Sequence, residues 1–131
     1  MRLILDASAA LNVVLRTDRA PGFIASLEAG DLVLAPSLFH SEVSNALWKY
    51  VRAGSLDKQT AMTRLEEALD LVDNFEADER LVTEALSQAV LHDHPVCDML
   101  YIVLAMRFGA RLISADSKLL KLAGHIDPSM V

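Results

Sequence analysis

Only one cysteine, Cys97, occurs in the 131 residues, so no internal disulfide can form, and a reducing cytoplasm is the expected setting. No apolar run approaches the roughly 18 residues that cross a bilayer, so no membrane partner is expected. A secretory leader is not expected either, because the charged Arg2 opens directly into a short first strand. Repeats, low-complexity tracts and linkers are lacking. One domain over residues 1–131 is therefore expected, long enough for a real core and too short for two. His40, His92, His94 and His125 fall in no familiar metal-ligand spacing, and His92-Asp93-His94 reads as an exposed loop. No histidine is patterned as a base for Ser8 or Ser114, which argues against a serine hydrolase. Cys97 has no partner base and reads as a small buried residue.

What is present is an apolar chain, 53% hydrophobic and 23% charged, the composition of a globular protein. Its net charge of −6 argues at first against a nucleic-acid partner. If four of the 18 acids bind a metal, the remaining 14 face 12 basic residues, and the objection fades.

The chain is organised around Arg2–Ala10, where Leu3-Ile4-Leu5 runs into Asp6 and then into small residues. A short continuous apolar run suits a strand buried on both faces of a parallel sheet. An acid just beyond it falls at the carboxyl edge, where open α/β sheets bind ligands. Helices are expected over Ser8–Leu15 and Pro21–Glu28, then a strand at Leu32–Leu34 closed by Pro36. Ser37 suits an N-cap for a helix reaching Arg52, with Phe39, Val43, Ala46, Leu47 and Tyr50 inward. A helix over Lys58–Leu69 precedes a third strand within Leu71–Phe75. The next helix, Glu79–His92, has Val82, Ala85, Leu86, Ala89 and Val90 on one face. Cys97–Phe108 is a helix with Met99, Ile102, Val103 and Met106 inward, ended by Gly109. A strand at Arg111–Ser114, a helix at Ser117–Ala123 and an edge strand at His125–Asp127 complete the chain. The alternation predicts an α/β fold with a mostly parallel sheet of four to five strands flanked by helices.

Four acids stand out by position. Asp6 follows the first strand, Glu42 lies early in the helix after the second, Asp98 sits in a first helical turn, and Asp116 follows the fourth strand. Parallel strand ends point one way, so Asp6, Glu42 and Asp116 should gather at one edge, and neighbouring first and fourth strands would bring Asp6 to Asp116. Taken singly, each has a plainer role as an N-cap or a complement to the helix dipole. Taken together, clustered carboxylates repel and invite a cation. An all-oxygen set suits Mg²⁺ or Mn²⁺, which could drive hydrolysis of a phosphodiester.

The segments L-I-L-D-A-S-A, P-S-L-F-H-S-E-V-S-N-A-L, D-M-L-Y-I-V-L-A and L-I-S-A-D-S-K-L-L resemble PIN-domain ribonucleases, in particular the small VapC-type toxins of toxin–antitoxin pairs. The resemblance spans essentially the whole chain. It implies a PIN-like three-layer domain and a metal-dependent endoribonuclease, the toxin of a type II pair, held in check by a cognate antitoxin. Asp6, Glu42, Asp98 and Asp116 match the family's metal-binding acids. Ser114 matches a Ser/Thr that helps place a metal-bound water, Ser8 a small polar residue beside the first acid, and Asn45 sits one turn after Glu42. Many members carry a further acid after the one matched by Asp116. Here Ser117, Lys118 and Leu119 follow, which puts a second metal ion in question, and Asp93 is a spare acid in a solvated loop.

Two other readings compete. A PIN-fold module that binds RNA or protein without useful catalysis is kept alive by the missing acid. An aspartyl phosphotransferase with Asp6 as nucleophile is weaker, since position 8 is Ser8 where a second acid is usual. Trp48 and Tyr50 read as core or dimer contacts, and Lys49, Arg52, Lys118 and Lys121 as candidate phosphate contacts. The apolar stretches Leu11–Leu15 and Leu38–Trp48 suggest a homodimer.

Overall fold

In the computed structural model, which describes residues 1–131, four strands form one parallel sheet. They are β1 (Arg2–Leu5), β2 (Leu32–Pro36), β3 (Asn74–Glu76) and β4 (Arg111–Ile113), in the order β3-β2-β1-β4. The chain steps from β1 to β2 to β3 on one side, then returns to place β4 on the other side of β1. The strand order thus reverses between β1 and β4, which makes their carboxyl ends the switch point of the sheet.

Alternation along the strands feeds two cores. Leu3, Leu5, Val33, Ala35 and Ile113 face one layer, built from α1 (Ala7–Val14), α2 (Ala20–Glu28), α3 (Leu38–Arg52) and α4 (Lys58–Asp70). Ile4, Leu34 and Leu112 face the other, built from α5 (Val82–His92), α6 (Val96–Phe108) and α7 (Ser117–Ile126). A side-chain period of two on a sheet covered on both faces produces the continuous apolar runs seen in the sequence. Helix α6 is buried over every residue from Met99 to Ala105, because it lies between α5 and the central strands.

The observed elements correct several sequence expectations. His125 and Ile126 belong to α7 and add no strand; Ala123 is fully buried and Ile126 packs on the core beneath the helix, so the sheet stops at four strands. The third strand starts at Asn74, since Leu71 and Val72 complete the last turn of α4 through hydrogen bonds to Ala68 and Leu69 carbonyls. A 3₁₀ turn over Asp78–Arg80 precedes α5, which begins at Val82. Only Ala85 and Ala89 of the expected α5 stripe are buried. Val82, Leu86 and Val90 face outward, as does Leu91. Met106, Tyr50 and Trp48 are also exposed, so none is a core residue; the Arg52 guanidinium lies over the Trp48 ring, 5.4 Å from its centroid. Cys97 is exposed rather than buried, because the first turn of α6 turns that side outward while Met99 and Leu100 turn in. Leu11, Leu15 and Leu38 pack against the two cores. No single helix is long and apolar enough to cross a membrane.

Gly30 fits where a side chain would not: a Cβ there would meet Leu3 Cδ1 at 2.4 Å and Cγ at 2.6 Å. Leu3 is only 1% exposed, so it can give way only by displacing its neighbours in the core. Gly30→Ala should therefore cost about 1–3 kcal/mol of unfolding free energy, the usual size of an overpacking penalty. Urea denaturation checks this; an unchanged midpoint would show that Leu3 yields freely.

Candidate metal-binding acidic site

Two of the four acids are placed by the same device. Asp6 ends β1 and caps α1, with Oδ1 accepting from the Ala9 amide at 2.9 Å. Asp116 follows β4 and caps α7, with Oδ1 accepting from Lys118 at 3.0 Å and Leu119 at 3.3 Å. The plain N-cap role thus holds for both, and it turns both carboxylates to the carboxyl edge of the sheet, β1 beside β4. The Asp6 amide donates to the Ile113 carbonyl at 3.1 Å and carries the pairing one residue further.

Asp6 is 5% exposed, an unusual place for a carboxylate. The Ser8 hydroxyl donates to Oδ1 at 2.7 Å, and the Ser114 hydroxyl donates to Oδ2. Each hydroxyl has one proton, and both are given to Asp6. In return the Ser8 oxygen accepts from the Ala115 amide at 2.9 Å, and the Ser114 oxygen accepts from the Asp116 amide at 2.9 Å. The serines therefore tie the loop after β4 to the carboxylate after β1. Ser114 thus gives its proton to Asp6 and accepts from the Asp116 amide, linking the two acids. Burial pushes the Asp6 carboxyl above its ordinary value; hydrogen bonds from Ser114, Ala9 and Ser8 pull it back, and the Asp116 charge adds to the rise.

Glu42 stands in the second turn of α3. The start of this helix is held by an exchange of hydrogen bonds: Asp78 Oδ1 accepts from the Leu38 amide at 3.0 Å, and Ser37 Oγ accepts from the Asp78 amide at 3.0 Å. Asp78, not the expected Ser37, caps α3, since Ser37 already has helical backbone angles and its hydroxyl makes no capping bond. Glu42 Oε1 accepts from the Tyr101 hydroxyl at 2.6 Å. Asp98 lies in the first turn of α6, its Oδ2 at 2.8 Å from His94 Nε2. His94 is thus engaged with an acid rather than simply solvated, whereas Asp93 is exposed. Asn45 is exposed beside Glu42, and both border an open cleft with Ser41 and Ser44. Lys118 lies two residues after Asp116, while Lys49 and Arg52 are some 10–15 Å along α3 from Glu42 at 1.5 Å per residue.

Sequence inspection missed Tyr101, His94 and Asp78. The first two had a signal: Tyr101 is three residues after Asp98 and His94 four before it, spacings that meet on one helical face. Asp78 had none, because its partners Ser37 and Leu38 are distant in sequence.

The four acids sense one another, since Asp6, Asp98 and Asp78 each raise Glu42 and Asp116 raises Asp6. Their donors suit a hard cation: all are oxygens, and Glu42 Oε2, Asp98 Oδ1 and Asp116 Oδ2 accept no hydrogen bond. No three of these groups stand close enough to grip an ion as they are.

Burial is the largest cause of the raised Glu42 carboxyl, with the Tyr101 hydrogen bond opposing it. A carboxyl raised by folding adds stability below its unfolded value, near 4.3, and loses it as pH climbs through the folded value. Glu42→Gln retains an acceptor for Tyr101 and removes the charge. In EDTA at pH 7 this variant should melt no lower than the wild type, and the two should converge below about pH 4. Thermal melts across pH check this; a Glu42→Gln protein melting several degrees lower at pH 7 would contradict it.

The chain is similar to several known proteins. Residues 3–125 match the family model described as PIN domain. Ribonuclease VapC3 of Pyrobaculum aerophilum is 27% identical over 121 residues, 91% of this chain and 92% of that protein. The crystal structure of PAE2754 from Pyrobaculum aerophilum superposes with a TM-score of 0.75 at 23% identity, covering 92% of this chain and 84% of that one. That of VapBC2 from Rickettsia felis, bound to a DNA fragment from their promoter, superposes with a TM-score of 0.67 at 15% identity, covering 93% and 92%.

Proposed function

Because the chain belongs to the PIN-domain family, we infer that it is a metal-dependent endoribonuclease acting as the toxin of a type II toxin–antitoxin pair. The observation that carries this is the buried Asp6 at the switch point, with two serine protons turned onto it and Asp116 beside it. A fold has little other use for so costly a carboxylate at its binding edge. The similarity to Ribonuclease VapC3 across nine-tenths of both chains supports the substrate class.

Asp6, Glu42, Asp98 and Asp116 are the residues that would hold Mg²⁺ or Mn²⁺. A divalent cation so held would polarise the scissile phosphoryl group and lower the pKa of the attacking water. The chain's own contribution is orientation. Ser8, Ser114 and the Ala9 amide hold the Asp6 carboxyl in place and oppose the rise that burial imposes on it. The α7 cap fixes Asp116 through one oxygen and leaves the other for the ion. Attack at phosphorus breaks the bond to the 3′-oxygen, leaving a 5′-phosphate and a 3′-hydroxyl. A cognate antitoxin would neutralise this site with an arginine, whose planar guanidinium suits paired carboxylates. Such an enzyme works on cytoplasmic RNA.

Cleavage of a mixed RNA pool tests the assignment. Cuts are expected with Mg²⁺ or Mn²⁺, none in EDTA, and a loss of at least a hundredfold in Asp6→Asn and Asp98→Asn. Cleavage that survives both substitutions would refute the site. Metal and RNA binding without any cleavage would favour the non-catalytic module, the reading that the absence of an acid at Ser117–Leu119 supports.

The exposed Val82, Leu86, Val90 and Leu91 along α5 support a homodimer in solution. Light scattering should give twice the 14.3 kDa chain mass at micromolar concentration; a single monomer peak throughout would refute it.

A further inference from the structure

Tyr101 is the least explained polar group near the acids. It is 2% exposed, in the middle of the seven-residue buried run of α6, where an apolar side chain would pack as well. Its hydroxyl needs a partner at that depth, and the partner is Glu42 Oε1 on a different helix, at 2.6 Å. The phenol has one proton to give and gives it to one carboxylate oxygen. Glu42 Oε2 is left without a protein partner, in a carboxylate that feels the charges of Asp6, Asp98 and Asp78. Helix α6 thus bears on the site twice, one turn apart: Asp98 directly, and Glu42 through the phenol.

We propose that Tyr101 is a positioning residue for the metal site: its hydroxyl locks the Glu42 carboxylate so that Oε2 alone is offered to the ion. This rests on the metal-dependent reading given above. Glu42 then binds through one oxygen, and the phenol is the fixed outer partner that orients a carboxylate ligand, a role whose loss typically weakens metal binding about 10–100-fold. Tyr101 is 2% exposed and so out of a substrate's reach, and loss of its hydroxyl should leave RNA binding intact.

The test is Mn²⁺ titration calorimetry on the wild type, Tyr101→Phe, Glu42→Gln and the double variant, with steady-state RNA cleavage alongside. Tyr101→Phe removes only the hydroxyl and keeps the ring in the core. Expected are at least a tenfold weaker Mn²⁺ affinity and a lower kcat, with KM for RNA unchanged. The double variant should bind Mn²⁺ no more weakly than Glu42→Gln alone, since both changes break one interaction. If Tyr101→Phe does not fold at the assay temperature, Tyr101→Met, an adaptable apolar filler that also lacks the hydroxyl, carries the test, and a similar tenfold loss is expected. Wild-type affinity in Tyr101→Phe, or losses that add in full in the double variant, would overturn the positioning role while leaving the metal site standing. A wild type that binds no Mn²⁺ would overturn the metal reading and this role together.

Discussion

A carboxylate at the end of a central strand, sealed from solvent, must be given protons by its surroundings or be neutralised. Asp6 is given three: from the Ser8 hydroxyl, the Ser114 hydroxyl and the Ala9 amide. Much of the local architecture follows from supplying them. Ser8 must be the second residue of α1 and Ala9 the third, and β4 must run beside β1 so that Ser114 arrives opposite. The serines in turn accept the Ala115 and Asp116 amides, so the loop carrying the second acid is positioned by the first. Charge, cap and sheet register form one unit, and a change in any of them leaves a buried charge short of a donor, a loss usually of several kcal/mol.

The electrostatics carry an internal conflict, and the conflict points to function. Hydrogen bonds favour an ionised Asp6, while burial and Asp116 oppose it. Glu42 is opposed by burial and by three neighbouring acids, with Tyr101 alone favouring its charge. A fold selected only for stability would relieve such repulsion with an apolar or amide side chain. Oxygen donors kept together against their own repulsion make sense when a cation completes them.

Much of this was legible in the sequence. The run Leu3–Leu5 followed by Asp6 is a strand leading to a capping acid, and Leu112-Ile113 leading to Asp116 repeats it, so the two halves of the site announced themselves by position. The parallel sheet followed from apolar runs with no polar face. What stayed hidden was set by tertiary contact. The outward turn of Val82, Leu86 and Val90 could not be separated from Ala85 and Ala89 by periodicity, because α5 presents its small residues to α6 and its larger ones to solvent. His125 and Ile126 carry strand-like composition, yet the core beneath α7 extended that helix through Gly124. The bond from Tyr101 to Glu42 stayed hidden because 59 residues separate the two.

The central claim, that these carboxylates exist to hold one kind of ion at the switch point, is most directly tested by anomalous diffraction from crystals grown with Mn²⁺. The account predicts a Mn²⁺ peak in contact with Asp6 and Asp116, with Glu42 bound through Oε2 and Asp98 turned inward. A map with no anomalous peak between β1 and β4 at millimolar Mn²⁺, or one whose only peak lies on the histidines of the His92–His94 loop, would contradict it.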